Sequence, residues 1–180
     1  KSGAFYVPID VNLPEERIQF IVKDAEAKVV LHGDAFSKGD ATAQFVHVSD
    51  VQKETNVSES SSVLPNNDQV AYCIYTSGTT GLPKGCLLSH ANLNHYIHWA
   101  NEYYYDENDE PANWALITSI AFDLTVTSIF SCLTMGGQLW IGSGDKNIGE
   151  LLETCLNEST TNSLKLTPSH LLLLNELGVD

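Results

Sequence analysis

Apolar positions along the chain recur with two periods, one typical of helices and one typical of buried strands. One stripe repeats every three or four residues and comprises Ile148, Leu151, Leu152, Cys155 and Leu156. That spacing places the stripe on a single helix face. The run Gln69–Tyr75 is instead almost continuously apolar and rich in β-prone residues, which favours a buried strand.

Strand patterns and helix patterns alternate along the whole chain. Strands are predicted at 4–9, 28–32, 44–50, 69–75, 85–89, 113–119, 137–142 and 163–166. Helices are predicted at 14–27, 90–105, 122–136, 147–159 and 168–177. The polar stretch 53–68 has few core-forming residues and is expected to be a surface loop. The alternation predicts an α/β fold, a layered structure in which helices flank a largely parallel sheet.

The charge balance limits the partners that the chain can bind. Its net charge of −14, from 23 acidic and 9 basic residues, repels nucleic-acid backbones and anionic membranes. No apolar run approaches the roughly 18 residues that span a bilayer, and the start KSGAFYVPID has no signal-peptide features. We expect a cytoplasmic protein without nucleic-acid or membrane partners. Because the start also lacks methionine, we expect a piece of a longer chain.

The cysteines and histidines have no spacing that indicates a metal site. The cysteines lie far apart, at Cys73, Cys86, Cys132 and Cys155. They are expected to be buried free thiols in a reducing cytosol, rather than metal ligands or disulfide partners. His95 and His98 have a metal-compatible spacing but no third ligand near them, so we interpret them as ordinary helix residues.

One stretch, YTSGTTGLPKG at 75–85, has the composition of an anion-binding loop. Glycines allow positive φ and let backbone N–H groups turn toward an anion, and this role is expected of Gly78, Gly81 and Gly85. Serine and threonine hydroxyls add donors, and lysine adds a point charge. Phosphate-binding residues are therefore predicted at Thr76, Ser77, Gly78, Thr79, Thr80, Gly81 and Lys84. The alternative is an ordinary glycine turn of a β-hairpin.

The loop is not a Walker A motif, although Gly78 and Lys84 have the Walker spacing. Pro83 precedes the lysine and Gly85 follows it, so the hydroxyl that holds Mg²⁺ in a Walker loop is missing. The segment after Lys84 is also predicted as a strand, whereas a Walker loop opens a helix. A P-loop NTPase is excluded.

The longer stretch AYCIYTSGTTGLPKG resembles the phosphate-loop motif of adenylate-forming enzymes. That superfamily includes acyl- and aryl-CoA synthetases, luciferases and the adenylation domains of nonribosomal peptide synthetases. Tyr72 and Tyr75 favour the peptide-synthetase branch, and KSGAFYVPID resembles that branch's upstream motif, K-A-G-x-A-Y-V-P-I-D. The resemblance runs the whole length and implies that 1–180 is the upstream part of the large N-terminal domain of an adenylation domain.

FDLT at 122–125 resembles the F-D-x-S motif of the same enzymes, with Thr125 in place of serine. In adenylation domains this aspartate binds the α-ammonium group of the substrate, so the resemblance implies that role for Asp123. A carboxylate near a helix N-terminus is held ionised and can pair with a cation. From residue type alone, the alternative is an N-cap for the following helix.

Further positions resemble the lining of the family's substrate pocket. The implied substrate-binding residues are Phe122, Asp123, Leu124, Thr127 and Lys165. Alternation along a strand would turn Lys165 away from Leu164 and Leu166, although a solvent-facing lysine is the usual case. The combination resembles domains that select aspartate or asparagine. Aspartate is slightly favoured because it would neutralise Lys165.

The resemblance implies a reaction in which an amino-acid carboxylate attacks ATP to give aminoacyl-AMP and pyrophosphate, with Mg²⁺ and the lysine loop stabilising the charge. The activated residue would pass to the phosphopantetheine thiol of a carrier domain, beside condensation domains of the same synthetase. The later motifs and the lid with its catalytic lysine are absent from 1–180, so this fragment is expected to be inactive alone. The alternatives are an acyl- or aryl-CoA synthetase and a noncatalytic remnant or scaffold.

Overall fold

The computed structural model describes residues 3–34, 43–51, 65–77, 81–105, 111–144, 146–158, 160–176 and 178. The chain divides into two units, Lys1–Ala91 and Asn92–Asp180. No helix within the described ranges is long and apolar enough to cross a membrane.

Helices and strands alternate, as the apolar pattern predicts. The helices are α1 (Glu15–Asp24), α2 (Val48–Val51), α3 (His90–Tyr104), α4 (Leu124–Thr134), α5 (Ile148–Glu158) and α6 (Pro168–Glu176). The strands are β1 (Val29–His32), β2 (Gln44–His47), β3 (Val70–Ser77), β4 (Pro83–Ser89), β5 (Trp114–Leu116) and β6 (Leu139–Ile141).

Both parallel and antiparallel strand pairs occur in the described residues. β1 pairs with β2 and β5 with β6, each in parallel. β3 and β4 form an antiparallel hairpin whose register runs from Val70 opposite Ser89 to Ser77 opposite Pro83. The predicted α/β fold is confirmed, and the phosphate-loop segment lies on its antiparallel hairpin.

In the first unit, α1 and β3 supply most of the buried side chains. α1 buries Ile18, Ile21 and Val22, which have the predicted helical spacing. The helix is shorter than the predicted 14–27, since Glu26 has a φ of 49°, a left-handed conformation that an α-helix cannot include.

Two predicted strands, 4–9 and 163–166, are wrong as strands because each makes a single bridge. Tyr6 pairs in parallel with Tyr72, and Ser163 pairs in parallel with Trp114. Pro8 lies two residues after Tyr6 and has no N–H with which to extend a strand ladder. Residues 164–167, which are all described, form no second pair before α6 begins.

The predicted strand 44–50 ends early, at His47, and α2 follows it. The Ser49 backbone N–H donates to His47 Nδ1 at 3.2 Å, and the Ser49 hydroxyl lies 2.7 Å from the same nitrogen. Such local side-chain bonds compete with a strand ladder. Of the predicted loop 53–68, the part at 53–64 lies outside the described residues, and 65–68 is exposed.

The second unit is built around an apolar cluster that joins β5 to α5. Its buried members are Ala115, Ile117, Leu151, Leu152 and Cys155. Most of the predicted helical stripe is therefore in the core, whereas Leu156 is exposed. Leu164 and Leu166 pack against the same cluster, and this packing fixes the orientation of the backbone between them.

None of the four cysteines is in a disulfide, and all four lie in described residues. Three are buried as expected, but the expectation is wrong for Cys86, which is exposed. Cys86 lies on β4, whose side chains are largely exposed.

Candidate functional site

The predicted phosphate loop joins the two strands of the β3–β4 hairpin. Thr76 lies opposite Lys84 and Ser77 opposite Pro83, so the loop begins and ends at adjacent positions. The side chains of Thr76, Ser77 and Lys84 are exposed and are available to a ligand. Gly78, Thr79 and Thr80 lie outside the described residues.

Gly81 and Gly85 serve different purposes in this segment. Gly81 has a φ of +88°, a conformation that L-residues rarely adopt. Gly85 is not among the residues with positive φ, so the expectation for it is wrong. A Cβ at Gly85 would lie 2.9 Å from Cys73 Sγ and 3.1 Å from Tyr75 Cζ. Glycine is needed there because the side chains of β3 cross the backbone of β4.

Lys84 is followed by a strand rather than a helix, which confirms that the loop is not of the Walker type. The strands on which it lies are anchored to α1, since the Tyr75 hydroxyl donates to Asp24 Oδ2 at 2.7 Å. Burial, and secondarily the bond to Asp24, raise the pKa of Tyr75. This bond fixes the strand immediately before the loop.

Asp123 stands at the start of α4 and leaves its carboxylate exposed. It makes no side-chain capping hydrogen bond, and its φ of −60° and ψ of −25° are already helical. A capping side chain ordinarily belongs to a residue with extended dihedrals, so the capping alternative does not describe this geometry. Of its neighbours, Phe122 is exposed and Leu124 is half-buried.

Thr127 and Lys165 are brought together, although 38 positions separate them in the sequence. Lys165 Nζ donates to Thr127 Oγ1 at 2.5 Å, and Thr127 is completely buried. Lys165 is half-buried, because Leu164 and Leu166 pack into the core on the other side of the chain. The lysine thus does not face solvent freely, and the predicted alternation of the three side chains is confirmed.

A third residue, Tyr96 on α3, completes this hydroxyl–ammonium cluster of Tyr96, Thr127 and Lys165. Lys165 Nζ donates to the Tyr96 hydroxyl oxygen at 3.1 Å, and that oxygen lies 2.6 Å from Thr127 Oγ1. The sequence carries no motif for Tyr96, which is 69 positions from Lys165. A signal was nonetheless present, since a tyrosine that faces the interior requires a partner for its hydroxyl.

Asp123 and Thr127 both lie at the N-terminal end of α4. Asp123 and Thr127 are four residues apart, so they lie on the same helix face. Residues 1–179 match the family of AMP-binding enzymes.

The chain belongs to the AMP-binding enzyme family. A mycosubtilin synthase of Bacillus subtilis is 40% identical over 180 residues, which are 99% of this chain and 7% of that protein. The chain therefore spans only a small part of the length of this relative.

Solved structures of the family share the fold. The N-terminal subdomain of Klebsiella oxytoca NpsA, in complex with 3-hydroxybenzoyl-AMSN, has a TM-score of 0.81 at 24% identity, over 98% of this chain and 44% of that chain. The AMPPNP-bound form of the nonribosomal peptide synthetase FmoA3 has a TM-score of 0.79 at 18% identity, over 98% of this chain and 19% of that chain. At these identities the likeness establishes the fold of the N-terminal domain of adenylate-forming enzymes.

Proposed function

We propose that these 180 residues are the upstream part of an adenylation domain that activates an amino acid for nonribosomal peptide synthesis. Membership of the AMP-binding enzyme family supports an ATP-dependent, adenylate-forming ligase activity for the parent protein. The chain covers 7% of its mycosubtilin synthase relative, so the activity is proposed for a longer protein that contains it.

The observation that carries the choice of substrate is the environment of Lys165. Its ammonium group is half-buried and bonded to two neutral hydroxyls. Among the described residues, no carboxylate forms a salt bridge with it. An apolar substrate side chain would leave this charge without an anionic partner, at a cost of several kcal/mol. Aspartate would neutralise it and asparagine would offer a carbonyl oxygen, so aspartate is favoured over asparagine.

Asp123 is proposed to bind the α-ammonium group of the amino acid. Its carboxylate is exposed and makes no capping bond, so a cation can approach without displacing another partner. Phe122 and Leu124 are proposed to line the pocket beside it. An acyl or aryl acid has no ammonium group, which disfavours the CoA-synthetase alternative.

The hairpin loop is proposed to hold the β- and γ-phosphates of ATP. Thr76, Ser77 and Lys84 present two hydroxyl donors and one cation, which fits the anionic oxygens of a triphosphate. The remaining proposed phosphate-binding residues are Gly78, Thr79, Thr80 and Gly81. Mg²⁺ would supply further charge stabilisation of the departing pyrophosphate.

The proposed reaction is attack of the amino-acid carboxylate on the α-phosphate of ATP. A P–O bond forms to the carboxylate and the bond to pyrophosphate breaks, giving aminoacyl-AMP. Asp123 and Lys165 would orient the amino acid, and Lys84 would balance the charge of the leaving group. The proposed partners are the carrier domain, whose phosphopantetheine thiol receives the aminoacyl group, and the condensation domains of the same cytoplasmic synthetase.

Amino-acid-dependent ATP–pyrophosphate exchange by the longer protein tests the function. We expect exchange with aspartate and weaker exchange with asparagine. Lys165→Ala should reduce both by at least about 100-fold, because the side-chain oxygen of the bound substrate would lose its charged hydrogen-bond donor. The matched control is Lys146→Ala, since Lys146 Nζ also donates to a threonine, Thr154, at 2.8 Å, but on the exposed surface.

Each outcome separates the candidate functions. Exchange only with an apolar amino acid would keep the enzyme class and overturn the role of Lys165. Exchange only with carboxylic acids that lack an amino group would indicate an acyl- or aryl-CoA synthetase. A folded protein that catalyses no exchange with either panel would indicate a noncatalytic remnant.

A further inference from the structure

The hydroxyl–ammonium cluster joins three separate parts of the second unit. Tyr96 comes from α3, Thr127 from α4 and Lys165 from the chain that precedes α6. The three polar atoms form a closed triangle with sides of 2.5, 2.6 and 3.1 Å. Lys165 Nζ also lies 5.7 Å from the centre of the Tyr96 ring, which is within the range of a cation–π interaction.

The triangle limits the hydrogen bonds that remain for a ligand. An ammonium group has three N–H donors and no acceptor, and Lys165 uses two of them on Tyr96 and Thr127. One of the two hydroxyl protons is used in the bond between Tyr96 and Thr127. With Thr127 as the donor to the Tyr96 oxygen, one N–H of Lys165 and the O–H of Tyr96 remain, on adjacent atoms and beside a positive charge.

A carboxylate matches these two donors better than a carboxamide does. Both of its oxygens accept hydrogen bonds, and its charge neutralises the ammonium group. A carboxamide has only one oxygen, and its NH₂ group is a donor. That NH₂ group would therefore face a donor of the cluster instead of an acceptor. The unpaired donors would cost binding energy.

Packing fixes the position of the Tyr96 side chain. Its ring lies 6.0 Å from that of Trp99 on the same helix, and the Thr127 side chain that it contacts is fully buried. Side chains that are fixed in this way can position a neighbour accurately.

We propose that Tyr96 is a positioning residue that fixes the Lys165 ammonium group for a side-chain carboxylate, and so sets selectivity for aspartate over asparagine. This role rests on the proposed function, since Tyr96 acts through Lys165. Without the Tyr96 hydroxyl, water enters its position. Because water both donates and accepts, it can satisfy the NH₂ group of a carboxamide.

The test measures kcat/KM for aspartate and for asparagine in ATP–pyrophosphate exchange by the longer protein. Tyr96→Phe keeps the ring and removes the hydroxyl. We expect the ratio of the two values, aspartate over asparagine, to fall by about 10-fold or more, the effect of one hydrogen bond to a charged group. The KM for ATP should not change. The control is Tyr103→Phe, which removes an exposed hydroxyl from the same helix.

The ratio distinguishes positioning from a merely structural role, because both substrates are measured on one preparation and a loss of folded protein cancels. If Tyr96→Phe does not fold, Thr127→Val removes the second hydroxyl and Thr127→Ser retains it, so only the former should lower the ratio. An unchanged ratio in both hydroxyl-deletion variants overturns the inference alone. A wild-type preference for asparagine overturns it too. Exchange with no amino acid overturns the proposed function and the inference together.

Discussion

At the residue scale, single polar side chains form hydrogen bonds with partners that lie far away in the sequence. The Tyr75 hydroxyl reaches Asp24 across 51 positions, and Lys165 reaches Tyr96 across 69. The second bond satisfies a half-buried ammonium group that would otherwise be costly to bury. Both bonds lie beside segments to which we assign ligand binding.

Tyr75 makes the stability of the protein depend on pH in the alkaline range. Its pKa is raised from the ordinary 10.0 by burial and by its bond to Asp24. A folded-state pKa above the unfolded value means stability that is complete below about pH 10 and is lost as the pH rises toward the folded value. We expect the free energy of unfolding, from urea titrations between pH 8 and about 12, to fall above about pH 10.

Tyr75→Phe should reduce this alkaline loss of stability. A smaller slope will remain, because burial also raises the pKa of Tyr6 and of the Cys73 thiol. If the wild-type protein and Tyr75→Phe lose stability in parallel above about pH 10, the pKa of Tyr75 is not raised in the folded protein.

At the element scale, the β3–β4 hairpin is the support of the phosphate loop. Its register sets Thr76 opposite Lys84, so the donor and the cation lie side by side. β3 is buried along Ala71–Ile74, whereas β4 is largely exposed. The hairpin therefore has one strand fixed in the core and one that can contact a ligand.

Lys84→Ala in the longer protein should raise the KM for ATP in pyrophosphate exchange by about 10- to 100-fold, the range of a charge-assisted hydrogen bond. The KM for the amino acid should change much less. Lys28→Ala is the matched control, because Lys28 is an exposed lysine of the same unit. Equal KM values for ATP in both variants would show that Lys84 does not contact the nucleotide.

At the scale of the whole molecule, both units carry strand side chains that remain open to solvent. Leu31 on β1, Leu87 on β4 and Ile141 on β6 are each at least 60% exposed. Family relatives are much longer than the chain.

We therefore expect the 180 residues alone to have little or no adenylation activity. Pyrophosphate exchange would be compared at equal concentration for this fragment and the longer protein, with the same amino acids. We expect the fragment to remain at the background rate. A rate from the fragment close to that of the longer protein would contradict this, and would mean that the described residues suffice for the chemistry.

Much of the fold could be predicted from the sequence, because apolar periodicity is a local property. The stripe on α5, the buried strand β3 and the strand after Lys84 were all expected, and the structure contains them. The predictions failed where one tertiary or local contact outweighs the pattern. Pro8 prevents the segment at 4–9 from forming a ladder, and the bonds between His47 and Ser49 end β2 early.

The sequence by itself determined the family, the α/β class and the positions that resemble its motifs, since these depend on residue type and order along the chain. Only the tertiary structure decided which groups meet. No sequence spacing places Tyr96 against Thr127 and Lys165, because they lie on α3, on α4 and in the segment before α6, which meet only in the folded chain. It also decided that Gly85 makes room for Cys73 and Tyr75, a steric constraint that exists only once two strands are paired.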